Sequence, residues 1–467
     1  MGTAPTSAGP FAGERTFPNL LNSTIEEVAY GLQSGQLTTV DLTKAYLARI
    51  DEASGFNAVL QINPDALSAA QKLDDERKND ASRGPLHVIP ILVKDNIATA
   101  DKFDVSAGSF ALLGAKPSIE SSLIAKREGL SISSGWSSRG GQTLGASSSL
   151  AVAAALGLST AAIGTEESFH LHCLFTTVTF GSIVEPTDHG LIANDGAIPI
   201  SGRQDVLDTL TRTTWNIPFE IPDFTIYCKG TDLTDITIGV PRNAFSAESS
   251  SPVMVSFGSA LNTLSQAGAK QVRGIVRSSE FKRDIFRYLQ TLETNPNNIH
   301  TAEDIIEFSR RFLSEEFPDR DIGKFLWTQD EGIDVDSDKY REMVAQEQFY
   351  GGSGGILGAM GAHNLDLLVV PSSMGIANDL AAKMGFPVLG APLGFNPEDA
   401  PIELNENAPH LARVAPGISY SLTLTTKAFS DGVLIQVGHA FEQVTGVRRN
   451  GPLPFKAPST ECCGVGG

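Results

Sequence analysis

Apolar and polar positions follow two periods along this chain, and these divide it into helices and strands. Near the N-terminus, "STIEEVAYGLQSG" (23–35) has helical spacing. It opens on Ser23 with Glu26 three residues on and closes between Gly31 and Gly35, which predicts a helix with a capping box. "TTVDLTKAYLARIDEASG" (38–55) repeats the pattern with a threonine cap and Gly55 as its stop, and "DALSAAQKLDDERKN" (65–79) predicts a third, more polar helix. The apolar run in "HVIPILVKDNI" (87–97) predicts a buried strand that runs into polar residues. The alanine-rich "SSSLAVAAALGL" (147–158) predicts a helix deep in a core, and "STAAIGTE" (159–166) a short strand ending in a loop.

The second half alternates again. "ITIGVP" (236–241) reads as a strand, "SPVMVSFGSALNTLSQAG" (251–268) as a helix and "AKQVRGIV" (269–276) as a strand. Helices are expected over 301–315 and 336–349. "LDLLVVPSS" (365–373), with its unbroken apolar run, predicts a strand buried on both faces. "FPVLGAPLGF" (386–395) and "ISYSLTLT" (418–425) are further strands, and "FSDGVLIQVGHAFEQVTG" (429–446) is a closing helix. Strands that alternate with helices imply an α/β fold with a mixed, largely parallel central sheet covered by helices. No internal repeat and no Pro- or Ser-rich linker divides the chain, so a single domain over 18–458 is expected, with flexible termini at 1–17 and 459–467.

Composition adds limits. The chain is 41% hydrophobic and 19% charged, as expected of an ordinary soluble globular protein. A net charge of −19 argues against nucleic acid and against an anionic membrane surface as partners. Four cysteines in 467 residues are too few for a disulfide scaffold. Cys462 and Cys463 fall in the tail "STECCGVGG", while Cys173 and Cys228 lie in apolar surroundings and read as buried thiols. The given N-terminus holds no apolar run of signal-peptide length and no segment reaches a membrane span, so the cytoplasm is the expected location.

Chemistry concentrates in two stretches. In "GPLHVIPILVKDNI" (84–97), Lys94 closes the apolar strand and is followed at once by Asp95 and Asn96. A charged lysine at the end of a buried strand is costly, and burial lowers an amine's pKa, which suits a general base. The alternative is a lysine that reaches the surface or pairs with Asp95. In "SGWSSRGGQTLGASSSL" (134–150), Gly and Ser cluster before a helix, so backbone N–H groups and hydroxyls could line a polar pocket or simply cap the helix.

Taken together, "GPLHVIPILVKDNI", "AGSFALLGAKP" (107–117), "SGWSSRGGQT" (134–143), "AVAAAL…AAIGTE" (151–166) and "DGAIPIS" (195–201) resemble the amidase signature family, and most of all its fungal amidases. The C-terminal strands and closing helix are similar too. The resemblance implies the amidase-signature fold and a Ser–Ser–Lys triad that hydrolyses a carboxamide C–N bond through an acyl-enzyme. No cofactor is implied, and the partner is a small-molecule amide. Lys94 takes the family's lysine position. A small gap brings Ser147 or Ser148 into the bridging position, and Ser182, in Gly-Ser-Ile-Val (181–184), is the candidate nucleophile.

The sequence also departs from the family. Aligned without gaps, the nucleophile position falls on His170 and the bridging position on Ala146. Using Ser182 requires residues 168–180 to be an insertion. The family's helix and Ala-Gly-Ala-rich strand after "LLGAKP" are replaced by "SIESSLIAKREGL", so a core strand is missing. One codon choice for "FHLHCLF" (169–175) reads, one frame over, as Ser-Ile-Ser-Thr-Ala-Ser, close to the family's nucleophile loop. A catalytically impaired amidase-like protein, with its nucleophile loop lost to a frame or splicing error, is therefore the alternative. Two further features read as ordinary loops. His170, His172 and Cys173 have no second ligand cluster nearby for a metal. "GGSGG" (351–355) matches a nucleophile elbow around Ser353, but a helix precedes it where the elbow needs a strand.

Overall fold

The computed structural model describes residues 19–21, 23–79, 81, 87–95, 106, 108–117, 133–136, 143–145, 148–163, 165–166, 182–186, 205–206, 224–228, 230–231, 233, 235–241, 281, 283, 285–318, 322–371, 380–381, 384–405, 408–452 and 456–462. The helices expected at the N-terminus form. α1 (Ile25–Gln33) is capped one residue later than the first serine suggests: Thr24 Oγ1 accepts from Glu27 N–H and Glu27 Oε2 from Thr24 N–H. Both S-x-x-E and T-x-x-E are present in the letters. The register that buries Val28 and Leu32 decides between them. α2 (Thr39–Glu52) carries the same box from Thr38 and Asp41. α3 (Ala66–Lys78) packs against α2, and its buried Asp74 accepts from the N–H groups of Thr39 and Val40 at 2.8 and 3.1 Å, capping α2 from outside.

Among the described residues the strands are β1 (Ile91–Val93), β2 (Lys116–Pro117), β3 (Ser133–Trp136), β4 (Thr143–Gly145), β5 (Ala161–Ile163), β6 (Thr165–Glu166), β7 (Ser182–Pro186), β8 (Asp205–Val206), β9 (Ile238–Gly239), β10 (Leu292–Thr294), β11 (Leu367–Pro371), β12 (Val388–Phe395), β13 (Glu403–Asn405), β14 (Ala408–Val414) and β15 (Ser419–Thr425). Seven form one sheet in the order β6-β8-β7-β12-β15-β11-β9. The later helices are α4 (Ser148–Ala155), α5 (Ala302–Arg311), α6 (Gly323–Glu331), α7 (Asp338–Gly351), α8 (Ile356–His363), α9 (Asp431–Thr445) and α10 (Val447–Asn450).

The α/β class is as expected and the sheet is mixed, and most of the pairs between its described strands are antiparallel. Among the described strands of the large sheet only β9 and β11 pair parallel, and every other neighbour in it pairs antiparallel. The reason is β15. β11 and β12 run in the same direction, as the strand–helix alternation implies, but β15 returns between them and pairs antiparallel with both. Alternation along the chain reports the direction of successive strands and not which later strand inserts between them.

The unbroken apolar run of β11 has the expected cause. Leu367 and Val369 face a cluster with Leu434 and Val437 of α9, while Leu368 faces Ile356 and Met360 of α8. Both faces of the sheet are covered, so every side chain of the strand is buried. The helix and strand expected over 251–276 lie outside the described residues.

Two other expectations change. Ser459–Glu461, expected to be flexible, is bound: Glu52 accepts from the N–H and hydroxyl groups of Ser459 and Thr460, and Glu461 accepts from Leu20 N–H at 2.7 Å. Charge-assisted bonds of this kind hold a segment that its composition alone marks as loose. Cys228 is exposed rather than buried, because it follows a single 3₁₀ turn (Phe224–Tyr227) instead of lying within a strand. Cys173 lies outside the described residues.

Candidate active site

Lys94 leaves β1 at its C-terminal end. β1 and β5 pair in parallel with Ile91, Leu92 and Val93 opposite Ala161, Ala162 and Ile163, and Lys94 N–H continues the ladder to Ile163 O at 3.1 Å. The lysine and the chain that follows Ile163 therefore leave the pair at the same end. That chain begins "GTEESFHLHC" (164–173). β1 is not the buried strand expected. Leu92 packs inward, but Ile91 and Val93 are 43% and 37% exposed, and among the described residues β5 is its only partner. One inward side chain on a three-residue strand anchors Lys94, which is itself half-buried. Just upstream, Val88 is buried at φ +75°, a conformation that a β-branched residue adopts only under strain.

α4 positions the second half of the site. Val152, Ala153 and Leu156 share a core cluster with Leu92 and Ala162. The chain reverses at Leu156–Thr160 between α4 and β5, which contribute to the same core cluster. The reversal is a Schellman turn. Leu158 N–H bonds Ala153 O at 2.9 Å, Gly157 N–H bonds Ala154 O at 3.0 Å, and Gly157 sits at φ +62°. The fully buried Arg49 closes the helix end by donating to Gly157 O at 2.7 Å and Leu156 O at 2.8 Å, and it reaches Thr460 O at 2.6 Å. Burial disfavours its charge, and Glu461, Tyr46 and Glu52 oppose that effect.

Asp95, next to Lys94, is fixed by the loop that follows. Its Oδ2 accepts from Ser106 Oγ at 2.7 Å and Gly108 N–H at 3.0 Å, and its Oδ1 from Gln61 Nε2 at 3.5 Å. One residue on, Ser109 Oγ donates to the buried Glu315 Oε1 at 2.6 Å. The 108–115 loop is thus tied both to Asp95, the neighbour of the candidate lysine, and to the core formed by α5, Ile285, Tyr288 and Leu289.

The other candidates are spread out. Ser182 is the first residue of β7 in the seven-stranded sheet, opposite Gly390, whereas Lys94 belongs to the two-stranded sheet. Ser147, His170, His172 and Cys173 lie outside the described residues. Ser353 follows α7 in a helix–helix turn, so no strand–turn–helix elbow surrounds it. Among the described residues no group of three or more His, Cys, Asp or Glu side chains converges on a metal position, and no helix is long and apolar enough to cross a membrane. Nothing in the sequence pattern pointed to Arg49, because its partners Leu156, Gly157 and Thr460 lie far away along the chain.

Comparison with known proteins bears on this geometry. The Amidase family matches residues 41–131, which include β1, Lys94 and Asp95. A protein assigned as an amidase in Arthroderma benhamiae is 31% identical, covering 92% of this chain and 87% of the relative. The chain belongs to the amidase signature family. A Schizosaccharomyces pombe protein with the same kind of assignment is 27% identical over 91% of this chain and 85% of its own length. Among solved structures, a peptide amidase in complex with the competitive inhibitor chymostatin superposes with a TM-score of 0.73 at 25% identity, covering 92% of this chain and 99% of that one. The amidase-signature fold is therefore the fold of this chain. The Arthroderma alignment spans 530 positions against a chain of 467 residues, so that relative carries segments that this chain lacks.

Proposed function

We propose that this amidase-family chain hydrolyses a carboxamide C–N bond by serine catalysis, with Lys94 as general base, Ser147 or Ser148 as proton relay and Ser182 as nucleophile. The nucleophile's oxygen attacks the carbonyl carbon while its proton passes through the relay to Lys94 Nζ. Backbone N–H groups of the Gly-rich loop hold the oxyanion. The C–N bond breaks as the leaving nitrogen takes a proton, and water then cleaves the acyl-enzyme ester to a carboxylic acid. The chemistry needs no cofactor, and a small-molecule amide is the substrate.

The observation that carries this reading is the parallel pairing of β1 with β5. It brings Lys94 and the end of β5 together at one end of the pair. A second reading, an amidase-like chain without turnover, is favoured by three specific observations. The relative carries segments absent here, β1 is half-exposed, and Ser182 belongs to a different sheet from Lys94.

Fluorophosphonate labelling of the purified protein separates the two readings. Labelling that is lost in Ser182→Ala supports serine catalysis as assigned. Absence of labelling, together with absence of acid release from a panel of simple amides, supports the second reading. Loss of labelling only in Ser353→Ala would move the nucleophile to the turn after α7.

A further inference from the structure

Residues 456–462 touch two separate cores. Ala457 packs against the cluster of Val152, Ala153 and Leu156, and Cys462 against the cluster of Leu20, Leu37 and Tyr46. None of the residues in this segment is buried, and Lys456, Ser459 and Glu461 are exposed. Hydrogen bonds therefore carry much of the attachment. The Glu52 carboxylate accepts from the N–H and hydroxyl of both Ser459 and Thr460. Glu461 extends the attachment to the N-terminal stretch, accepting from Leu20 N–H at 2.7 Å and Asn19 Nδ2 at 3.0 Å. A segment held by surface bonds of this kind opens more readily than a core element.

One buried side chain joins the segment to the turn between α4 and β5. Arg49 Nη1 donates to Thr460 O at 2.6 Å, while Nε donates to Gly157 O at 2.7 Å and Nη2 to Leu156 O at 2.8 Å. The same turn sits tightly on the stretch that Glu461 holds, since a Cβ added at Gly157 would lie 2.6 Å from Leu20 O. A guanidinium is planar and rigid, so its nitrogens cannot move independently. If Thr460 O leaves, a buried cationic donor loses its acceptor. The fork can find another only by shifting, and a shift breaks its bonds to the turn.

We propose that residues 456–462 form a releasable strap that holds the α4–β5 turn through Arg49, so that lifting the strap opens this turn while the seven-stranded sheet stays closed. α4 opens on Ser148, so the strap secures the far end of the helix that carries a relay candidate. The device belongs to the fold and stands whether or not the chain turns over an amide.

The experiment is hydrogen exchange of the full chain, read by mass spectrometry in three places: the strap, the turn and β11. Two variants loosen the strap from opposite sides. Glu52→Ala removes the acceptor, and Ser459→Pro removes one donor and leaves Glu52 intact. The turn is read at the amides of Gly157 and Leu158, which bond Ala154 O and Ala153 O. The expected result in both variants is faster exchange of the strap and, with it, exchange of the turn amides faster by about tenfold, the loss of roughly one hydrogen bond. The β11 amides should keep their wild-type rates. A strap that exchanges fast while Gly157 and Leu158 stay protected overturns the proposal, because the two would then be uncoupled. So does β11 speeding up as much as the turn, which would mean loss of the whole fold. A strap that stays protected in both variants overturns it as well, since the Glu52 bonds would then not be what holds it.

Discussion

Lys94 N–H donates to Ile163 O at 3.1 Å, so the residue that closes β1 is fastened to the residue that closes β5. A single backbone bond at the end of a parallel pair sets where the amine starts and where the following loop begins. It ties two sequence segments, 91–94 and 161–163, to one corner of the molecule.

This corner rests on one inward side chain. Leu92→Ala is expected to cost about 2 kcal/mol, since it opens a gap beneath α4 and β5. Ile91→Thr, at a position 43% exposed, should stay within about 0.5 kcal/mol. Urea midpoints of the two variants check the contrast, and equal losses would mean that β1 is buried on both faces.

Arg49→Met should destabilise the fold by about 3 kcal/mol or more, because it leaves the carbonyls of Leu156, Gly157 and Thr460 without their buried donor. The Glu461 pair contributes little to this figure. Its separation is 3.4 Å and the glutamate side chain is 38% exposed. Glu461→Gln should therefore cost far less than Arg49→Met in the same denaturation experiment.

Gly157→Ala should cost at least about 1–2 kcal/mol from its left-handed backbone alone. An added Cβ would also lie 2.6 Å from Leu20 O and 2.7 Å from Leu21 Cα. The melting temperature is expected to fall further than for Gly55→Ala, a position with open space around it.

The C-terminal segment should be released by acid. Hydrogen bonds from Thr460 and Ser459 hold the Glu52 carboxyl at about 2, below its ordinary 4.5. A depressed carboxyl stabilises the folded arrangement fully above its ordinary value and loses that contribution as pH falls from 4.5 toward 2. Hydrogen-exchange protection of the Ser459 and Thr460 amides should therefore decline across that window, and Glu52→Gln should show weak protection at every pH.

Much of this architecture can be read from the letters, and what cannot has a common physical origin. The three N-terminal helices, α4, β11, β12, β15 and α9 follow from local periodicity and capping residues, which act within a few positions of one another. The place of β15 between β11 and β12, the docking of Ser459–Glu461 and the burial of Arg49 depend on partners tens to hundreds of residues away, which no short window of sequence contains. α6 was missed because its polar composition lacks a strong apolar stripe. At the site, the position of Lys94 at a strand end was legible, whereas the exposure of its strand follows from what pairs beside it.

The account is tested most directly by kcat/KM for benzamide hydrolysis by the wild-type chain and by Lys94→Met, with ammonia release as the readout. If Lys94 is the base, the wild type releases ammonia and the variant loses about 10²–10⁴-fold in rate while keeping its melting temperature. Equal rates in a folded Lys94→Met, or no ammonia from the wild type with benzamide or any other simple amide, would contradict it.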